Sequence, residues 1–415
     1  MKEPEKIKLL FVCYGAGHVN MLVPIIEKVL ADSRFSAMVL GLTTASSVLK
    51  RRGIPHIGFK DLLTQADAAA IERGESLAEN LPENASVSRD ETVAYLGLSY
   101  FDLETRLGAD EATRVFAQKG RQAFLPISIL ERVFERVKPA LLISTNSPRA
   151  ERAAFYVARE HGIPSICIVG LFARHEIEWI REPQFASKIC VISQGVKNFF
   201  ERSGKNADEV LVTGNPALDR LSDPELDKRA TEFKRDRGWG DKPVVLWASQ
   251  PEPDRHPFTG DPGDPRLPRR VEQVLSEVAE RRKDWILAIR YHPGESESRK
   301  TAPDNAYISG FEDDLATLLK SVSVVITMTS TVGIEGVMLG KPLITVDTSV
   351  FREDAPYSAM GLSSGVSDLA HLEAAIDRAL SSTVASLEHG LSAPGMASQN
   401  VFATICHLCN VSVDV

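Results

Sequence analysis

The residues best suited to chemistry in the first half of the chain lie in a short glycine-rich loop. Gly15 and Gly17 precede His18, directly after the apolar run 7–13. Glycine lets the backbone approach a ligand closely, and histidine titrates near neutral pH, where it can act as a general base. We therefore predict that His18 is catalytic and that Gly15 and Gly17 bind substrate. The alternative is a histidine that only packs or caps at the turn.

A second group of candidates lies in the second half of the chain, after the apolar run 322–327. Ser330, Thr331 and Gly333 stand at the predicted start of a helix that also carries Glu335. Hydroxyls and the free N–H groups of a helix N-terminus bind phosphate, and a carboxylate one turn later can accept hydrogen bonds from a ribose diol. The pattern predicts a nucleoside diphosphate site. The alternative is a helix with an ordinary cap and a first-turn acid that its dipole favours.

Three further polar residues follow other predicted strands of the second half. Arg290 and His292 offer a cation and an imidazole that could both reach phosphate. Pro293 restricts His292 to an extended backbone, which fixes the direction of its side chain. Asp347 is expected either to contact sugar hydroxyls or to cap a turn.

The elements that must position these loops are parallel strands alternating with helices. This alternation runs through both halves of the chain, and ligands of such sheets bind beyond the carboxyl ends of the strands. The sequence therefore predicts an α/β fold of two Rossmann-like parallel-sheet domains that face one another across a cleft. We expect an N-terminal acceptor-binding domain over 1–218 with a helical insertion at about 61–125. A nucleotide-sugar-binding domain over 219–395 and a helix over 396–415, crossing back to the first domain, complete the prediction.

Two local predictions depend on turn and cap residues. The segment Ile54–Ile57 is predicted as a short strand after the second helix. A helix is predicted over 150–161, and Ser147 and Pro148 just before it are assigned to the N-cap and N1 positions, because proline suits the first turn.

Composition and charge exclude several classes of function. The chain has 415 residues, more than the roughly 250 to 300 at which a single core stops growing. Its formal net charge of −8, without long runs of like charge, argues against a nucleic-acid partner. We find neither a signal-peptide core nor an apolar run long enough for a transmembrane segment, and we expect a cytoplasmic protein. Peripheral membrane association and a homodimer stay open.

The cysteines give no pattern of a metal or disulfide framework. There are five, and only Cys406 and Cys409 are spaced as a pair. No second pair of cysteines or histidines accompanies them at a zinc-binding spacing. We predict buried thiols and no metal site, and the role of this pair is left open.

Several of these motifs resemble those of glycosyltransferases with the GT-B fold. The string 17–20 (GHVN) with Pro24 resembles the loop of UDP-glycosyltransferases and macrolide glycosyltransferases, whose histidine is the acceptor base. Residues 212–216 (VTGNP) resemble a segment of non-hydrolysing UDP-N-acetylglucosamine 2-epimerases, which makes Asn215 a candidate binding residue. Residues 330–342 look like the nucleotide-binding segment of many GT-B enzymes. With His292 they also resemble bacterial capsule and teichoic-acid transferases that use CMP- or CDP-linked donors.

The resemblance implies a glycosyltransferase that moves a sugar from a nucleotide-activated donor to an acceptor hydroxyl. It implies inversion of configuration, no metal and no other cofactor, with the acceptor left open among a glycan, a lipid-linked saccharide and a small molecule. A CMP- or CDP-donor capsule-type transferase and an epimerase or hydrolase of the sugar nucleotide are the alternatives, as is a non-catalytic GT-B scaffold. The chain lacks the TRPE-type loop, catalytic lysine and EAGLR-like segment of the epimerases. It also lacks the long signature that binds uracil in plant-type enzymes, so neither the base nor the sugar is predicted.

Overall fold

The chain forms two compact units, each built around one parallel sheet. The computed structural model describes residues 5–81, 87–295, 306–381 and 390–412. The N-terminal unit contains the chain up to Ala217 and again from Met396, and the C-terminal unit contains Leu218–Gly395. Each sheet has six strands, and every strand pair in it is parallel. The predicted α/β class with two parallel sheets is confirmed.

The sheet of the N-terminal unit has the order β2-β1-β3-β4-β5-β6. Its strands are β1 (Ile7–Tyr14), β2 (Phe35–Leu42), β3 (Leu141–Thr145), β4 (Ser165–Ile168), β5 (Lys188–Val191) and β6 (Val210–Val212). Its helices are α1 (Ala16–Ala31), α2 (Thr44–Arg51), α3 (Ala68–Ala78), α4 (Arg89–Leu107), α5 (Ala109–Lys119), α6 (Ile127–Val137), α7 (Ala150–Glu160), α8 (Ile177–Ile180), α9 (Gln194–Arg202) and α15 (Ala397–Leu408).

The core of the N-terminal unit explains why its strands read as continuous apolar runs. Helices cover both faces of a parallel sheet, so each strand is buried on both sides. Leu9, Phe11 and Cys13 of β1 are fully buried. Val401 and Ile405 of α15 belong to the same core cluster, which ties the end of the chain to this unit.

Helices α3, α4 and α5 lie between β2 and β3 in sequence, within the region 61–125. Gly74 of α3 and Gly97 of α4 allow these two helices to pack backbone against backbone. A Cβ atom on Gly74 would overlap the carbonyl oxygen of Val93, and one on Gly97 would overlap that of Ala70. These glycines therefore allow the backbones of α3 and α4 to lie in direct contact.

The sheet of the C-terminal unit has the order β12-β11-β10-β7-β8-β9. Its strands are β7 (Val244–Ala248), β8 (Ile286–Arg290), β9 (Ala306–Ser309), β10 (Val324–Thr327), β11 (Leu343–Val346) and β12 (Ser364–Val366). Its helices are α10 (Leu226–Asp236), α11 (Leu267–Arg281), α12 (Leu315–Ser321), α13 (Thr331–Met338) and α14 (Leu372–Ser381). Trp247 and Trp285 are fully buried in its core.

The predicted strand at 54–57 and the predicted cap of the helix after β3 were wrong, whereas the helix itself is confirmed. Residues 54–57 form only an isolated bridge, between Ile57 and Leu40, because the backbone of Ile57 bonds to the edge strand β2 over a single pair. Helix α7 begins at Ala150, as predicted, but its N-cap residue is Arg149 and not Ser147, and Arg149 provides no side-chain cap. Residues 147 and 148 therefore belong to the strand–helix loop.

Among the described residues, no helix combines the length and apolar character that crossing a lipid bilayer requires.

Candidate functional site

The candidates of the N-terminal unit lie where β1 and β3 end side by side. Gly15 follows β1 with φ 84°, a conformation that a residue with a Cβ rarely adopts. Helix α1 starts at once, so Gly17 and His18 belong to its first turn. Nothing lies within 4 Å of a Cβ built on Gly17, so neither backbone conformation nor space requires a glycine there.

His18 reaches across to the neighbouring strand. Its Nδ1 lies 2.8 Å from the hydroxyl oxygen of Thr145, the last residue of β3. Burial, and secondly the positive charge of Arg149, lower the pKa of the ring from 6.5 to about 4. The ring is therefore neutral near pH 7. Burial and Arg149 thus keep the imidazole unprotonated. A base with so low a pKa accepts a proton weakly.

A carboxyl group that the sequence reasoning missed lies at the same edge of the sheet. Glu151, in the first turn of α7, is fully buried, and its Oε1 accepts a 2.6 Å hydrogen bond from the backbone N–H of Tyr14. Burial raises its pKa from 4.5 to about 7, against the opposing effect of hydrogen bonds and Arg149. Glu151 therefore titrates near neutral pH next to the His18 loop.

The sequence did contain a signal for this buried acid. Glu151 shares a helix face with Ala154, Phe155 and Ala158, which follow it by three, four and seven residues and are fully buried. An acidic residue on an apolar face is unusual, because burying a carboxylate without a partner is costly.

Arg149 makes a cation–π contact with Tyr14, the residue before Gly15. Its guanidinium carbon is 4.1 Å from the centroid of the Tyr14 ring. Its Nε is buried and has no hydrogen-bond partner in the part of the chain that the structure describes. The segments that follow β1 and β3 thus bring together a cation (Arg149), a buried acid (Glu151) and a neutral imidazole (His18).

Asn215, the other candidate of this unit, is held by backbone groups. Its Nδ2 donates to the carbonyl oxygen of Gly170 at 2.7 Å, and its Oδ1 accepts from the N–H of Ala217 at 3.0 Å. Asn146 accepts the N–H of Gly170. These bonds show Asn215 joining the turns that follow β4 and β6, a structural role.

In the C-terminal unit, the loop before α13 is fixed by a residue from a neighbouring strand. Gln250 follows β7, and its amide makes two hydrogen bonds with Thr329. Its Nε2 donates to the hydroxyl at 2.7 Å, and its Oε1 accepts the backbone N–H at 3.0 Å. Sequence reasoning missed Gln250, which positions the candidate phosphate loop.

Helix α13 begins at Thr331, directly after Ser330. The side chain of Ser330 accepts a hydrogen bond from the N–H of Val332 and so caps α13, while Thr331 is exposed in the first turn. Gly333 has a packing role: a Cβ there would lie 3.2 Å from side-chain atoms of both Leu343 and Thr327. Glycine therefore lets α13 sit close on β10 and β11.

Glu335 lies one turn inside α13 and is almost completely buried, with 6% of its surface exposed. Its carboxylate accepts a short hydrogen bond from the guanidinium of Arg220, a partner that the sequence did not suggest. Burial raises the pKa of Glu335, although the charge of Arg220 opposes that rise. The arginine side chain is 43% exposed, so one side of the ion pair meets solvent.

Arg290 and His292 are both engaged with neighbouring loops. Nη1 of Arg290 donates to the hydroxyl of Ser309 at 2.8 Å and to two backbone carbonyls, those of Gly310 and Asp313. The imidazole of His292 is exposed, and its Nδ1 accepts the N–H of Gly294 at 2.9 Å. Arg290 thus joins β8 to the end of β9, and His292 presents its ring to solvent.

The loops after β7, β8 and β10 are connected by hydrogen bonds. Glu295 accepts the backbone N–H of His292 at 2.8 Å and the hydroxyl of Ser249 at 2.9 Å. Ser249 precedes Gln250, which holds Thr329. The His292 loop and the α13 start therefore belong to one network at the carboxyl edge of the sheet.

Asp347 follows β11 and contacts residues of the next loop and strand. Its Oδ2 accepts the hydroxyl of Ser358 at 2.6 Å, and its backbone N–H bonds to Val366 of β12. The side chain is half-buried, and this contact fits a residue that fixes the loop after β11.

Comparison with known proteins agrees with this architecture. A family model described as capsule polysaccharide biosynthesis protein matches residues 227–363, about a third of the chain. The UDP-GlcNAc 2-epimerase from Neisseria meningitidis bound to UDP-GlcNAc has a TM-score of 0.59 at 14% identity, over 97% of this chain and 100% of that one. The chain has a GT-B fold.

Two solved glycosyltransferases share this GT-B fold. The glycotransferase of kitacinnamycin has a TM-score of 0.59 at 12% identity, covering 98% of this chain and all of the other. The glycosyltransferase SnogD from Streptomyces nogalater has a TM-score of 0.52 at 11% identity, covering 97% of this chain and 100% of the other. No curated protein is significantly similar in sequence. At these identities the likeness establishes the fold.

Proposed function

We propose that this protein is a glycosyltransferase that uses a nucleotide-sugar donor. The observation that carries the proposal is the start of α13 in the C-terminal unit. There a capped helix N-terminus with an exposed threonine follows β10, and the buried carboxylate of Glu335 lies one turn further. This arrangement offers hydrogen-bond donors for a diphosphate and an acceptor for a ribose diol. The same segment lies within the match to the capsule polysaccharide family.

In this proposal the donor phosphates bind at Ser330 and Thr331, and Glu335 binds the ribose. The leaving nucleoside diphosphate needs positive potential, which the α13 N-terminus supplies together with the half-exposed guanidinium of Arg220. A nucleotide would share the Glu335 carboxylate with Arg220, whose exposed side can then turn toward the phosphates. No step of this scheme requires a divalent metal ion.

His18 is the proposed general base, which removes the proton of the acceptor hydroxyl as the sugar is transferred. Its neutral ring supports this role, because a protonated imidazole cannot accept a proton. Because the pKa of the free ring is low, the bound acceptor must stabilise the protonated imidazole (the imidazolium) for the ring to take up the proton. A negative charge on the acceptor, opposing the charge of Arg149, would do so. Attack by the acceptor oxygen on the anomeric carbon from the face opposite the leaving phosphate gives inversion.

A panel of nucleotides tests the proposal. We expect one or more of UDP, GDP, CDP, CMP and dTDP to raise the melting temperature of the full chain, because a ligand that binds the native state stabilises it. A matched measurement with Thr331→Val should show a smaller rise, since this exposed residue loses its hydroxyl. Failure of all five nucleotides to stabilise the wild-type protein would refute the proposal.

The second candidate function is epimerisation or hydrolysis of the sugar nucleotide itself. Glu151 favours it, because it supplies an ionisable group near neutral pH next to the His18 loop. Incubation with UDP-GlcNAc, the sugar nucleotide bound by the Neisseria meningitidis enzyme, separates the two functions. Conversion to the 2-epimer, or release of UDP without an acceptor, would support this candidate. Transfer that depends on an acceptor supports the first.

A further inference from the structure

A cavity of about 940 Å³ opens in the N-terminal unit beside the ends of β1 and β2. Its wall includes Tyr14 and Gly15 of the candidate catalytic loop, Thr43 before α2, and Tyr95 of α4. Cavities of this size hold ligands much larger than a single water or ion. All of the residues that line the cavity belong to the N-terminal unit.

The cavity wall includes one buried hydroxyl, that of Tyr95. Tyr95 is 2% exposed, and its hydroxyl, which interacts with the Tyr14 side chain, makes no hydrogen bond of normal geometry within the described ranges. Arg149 and Glu151 act electrostatically on the Tyr95 phenol, and each of them also carries one unpartnered buried atom. Native proteins satisfy nearly all buried polar groups, so a hydroxyl at this place on a cavity wall can serve as a hydrogen-bond partner for a ligand.

The charges on the cavity wall favour an anionic ligand. Arg121 is half-buried, and no hydrogen bond or ion pair of its guanidinium occurs among the described residues. The acid on the wall, Glu91, already accepts the backbone N–H groups of Phe59 and Lys60. Arg89, the other cation, pairs with an exposed glutamate outside the wall. The positive charge left for a ligand is therefore that of Arg121.

The start of α2 adds to this preference. Its N-cap residue Thr43 makes no side-chain cap, which leaves the positive end of the helix dipole without that usual partner. Thr43 also has φ 51°, a strained conformation for a β-branched residue. Strained backbone of this kind concentrates at ligand-binding sites, where the surrounding structure enforces it.

We propose that this cavity binds the acceptor, and that the acceptor is a saccharide carrying an acidic group, a carboxylate or a phosphate ester. Arg121 binds the acidic group, and the Tyr95 hydroxyl donates to or accepts from a sugar hydroxyl. The assignment of this ligand as the acceptor rests on the proposed function. The binding of an acidic saccharide to the cavity does not depend on it.

The test measures saccharide binding to the full chain without nucleotide. The ligands are disaccharides containing glucuronate, galacturonate or a 6-phosphate, each compared with its neutral counterpart by calorimetric titration. We expect at least one acidic disaccharide to bind about tenfold or more tightly than its neutral counterpart. The neutral ligand lacks the charge-assisted hydrogen bond that the acidic group makes with Arg121. The uronate and phosphate arms show which acidic group the site prefers.

Two variants and two controls locate the effect. Arg121→Gln should remove most of the preference for the acidic ligand, and Tyr95→Phe should weaken binding several-fold without lowering the melting temperature. Arg114→Gln removes an exposed arginine of α5 that pairs with Glu111. Tyr100→Phe removes a hydroxyl of α4 that bonds to Thr113 at 3.1 Å. Both controls should leave saccharide affinity unchanged.

The outcomes separate this inference from the proposed function. Equal binding of acidic and neutral ligands, no binding of any disaccharide, or an unchanged preference in Arg121→Gln would overturn the inference even if nucleotides bind. A preference that depends on Arg121, in a protein that no nucleotide stabilises, would support the site and refute the transferase.

Discussion

Replacing Glu335 by glutamine tests the nucleotide site with a side chain of nearly the same shape. Glu335→Gln keeps an oxygen that can accept a hydrogen bond and removes the negative charge. Because the carboxylate is almost completely buried, it would bind a ribose diol in a place from which water is largely excluded. The substitution should therefore weaken nucleotide binding far more than folding.

The size of each effect follows from the surroundings of the carboxylate. A hydrogen bond to a charged group contributes about 1.5 to 3 kcal/mol, which corresponds to a loss of affinity of roughly 10- to 150-fold. Loss of the pair with Arg220 should cost no more than about 1 kcal/mol, because that guanidinium is 43% exposed and remains solvated. The glutamine also avoids burying a charge, so the melting temperature should change by only a few degrees.

Calorimetric titration with the nucleotide that stabilises the wild-type protein most gives both affinities, and thermal unfolding of the same samples gives stability. Glu373→Gln is the matched control, because Glu373 also pairs with arginines but lies on α14. A folded Glu335→Gln protein that binds nucleotide within twofold of the wild type would refute the reasoning.

Three further predictions concern His18, Glu151 and Gln250. His18→Ala should lower turnover by roughly 10² to 10⁴ with nucleotide affinity unchanged, and full turnover in a folded sample would end its assignment as base. Because the folded pKa of Glu151 is about 7 against 4.5 unfolded, its burial costs stability as pH rises through this range. Glu151→Gln should therefore match the wild type near pH 4 and be more stable by up to about 3 kcal/mol at pH 8, whereas a pH-independent difference in denaturant unfolding would contradict this. Gln250→Ala should weaken nucleotide binding by roughly 3- to 30-fold through loss of two hydrogen bonds to the α13 loop, and an unchanged Kd would show that the loop holds its position alone.

The regular alternation of strands and helices could be predicted because it depends on local apolar patterns. The run 7–13 with its glycine turn became β1 and α1, and the run 322–327 gave β10 before a helix capped by Ser330. Short edge strands carry less signal. Residues 364–366 (SGV) form β12 although they contain one apolar side chain, because pairing with β11 places them in the sheet.

The partners of the candidate residues could not be predicted, because they come from distant parts of the chain. Arg220 lies 115 residues from Glu335, and Glu151 lies 137 residues from Tyr14, whose N–H it accepts. Cap chemistry was also misleading at Ser147, where the loop after β3 is longer than the Ser-Pro pair suggests. Local patterns predicted which loops carry polar groups. The tertiary contacts determine which of those groups are already engaged.

Amide hydrogen exchange with and without nucleotide tests the central claim most directly, because it reports where a nucleotide binds as well as whether it binds. The full chain would be compared alone and with a saturating concentration of the nucleotide that stabilises it most. The account predicts slower exchange over residues 328–336, the loop and first turns of α13, with the Glu335→Gln variant losing this protection at the same nucleotide concentration. Protection confined to other segments, with residues 328–336 unchanged, would contradict the account.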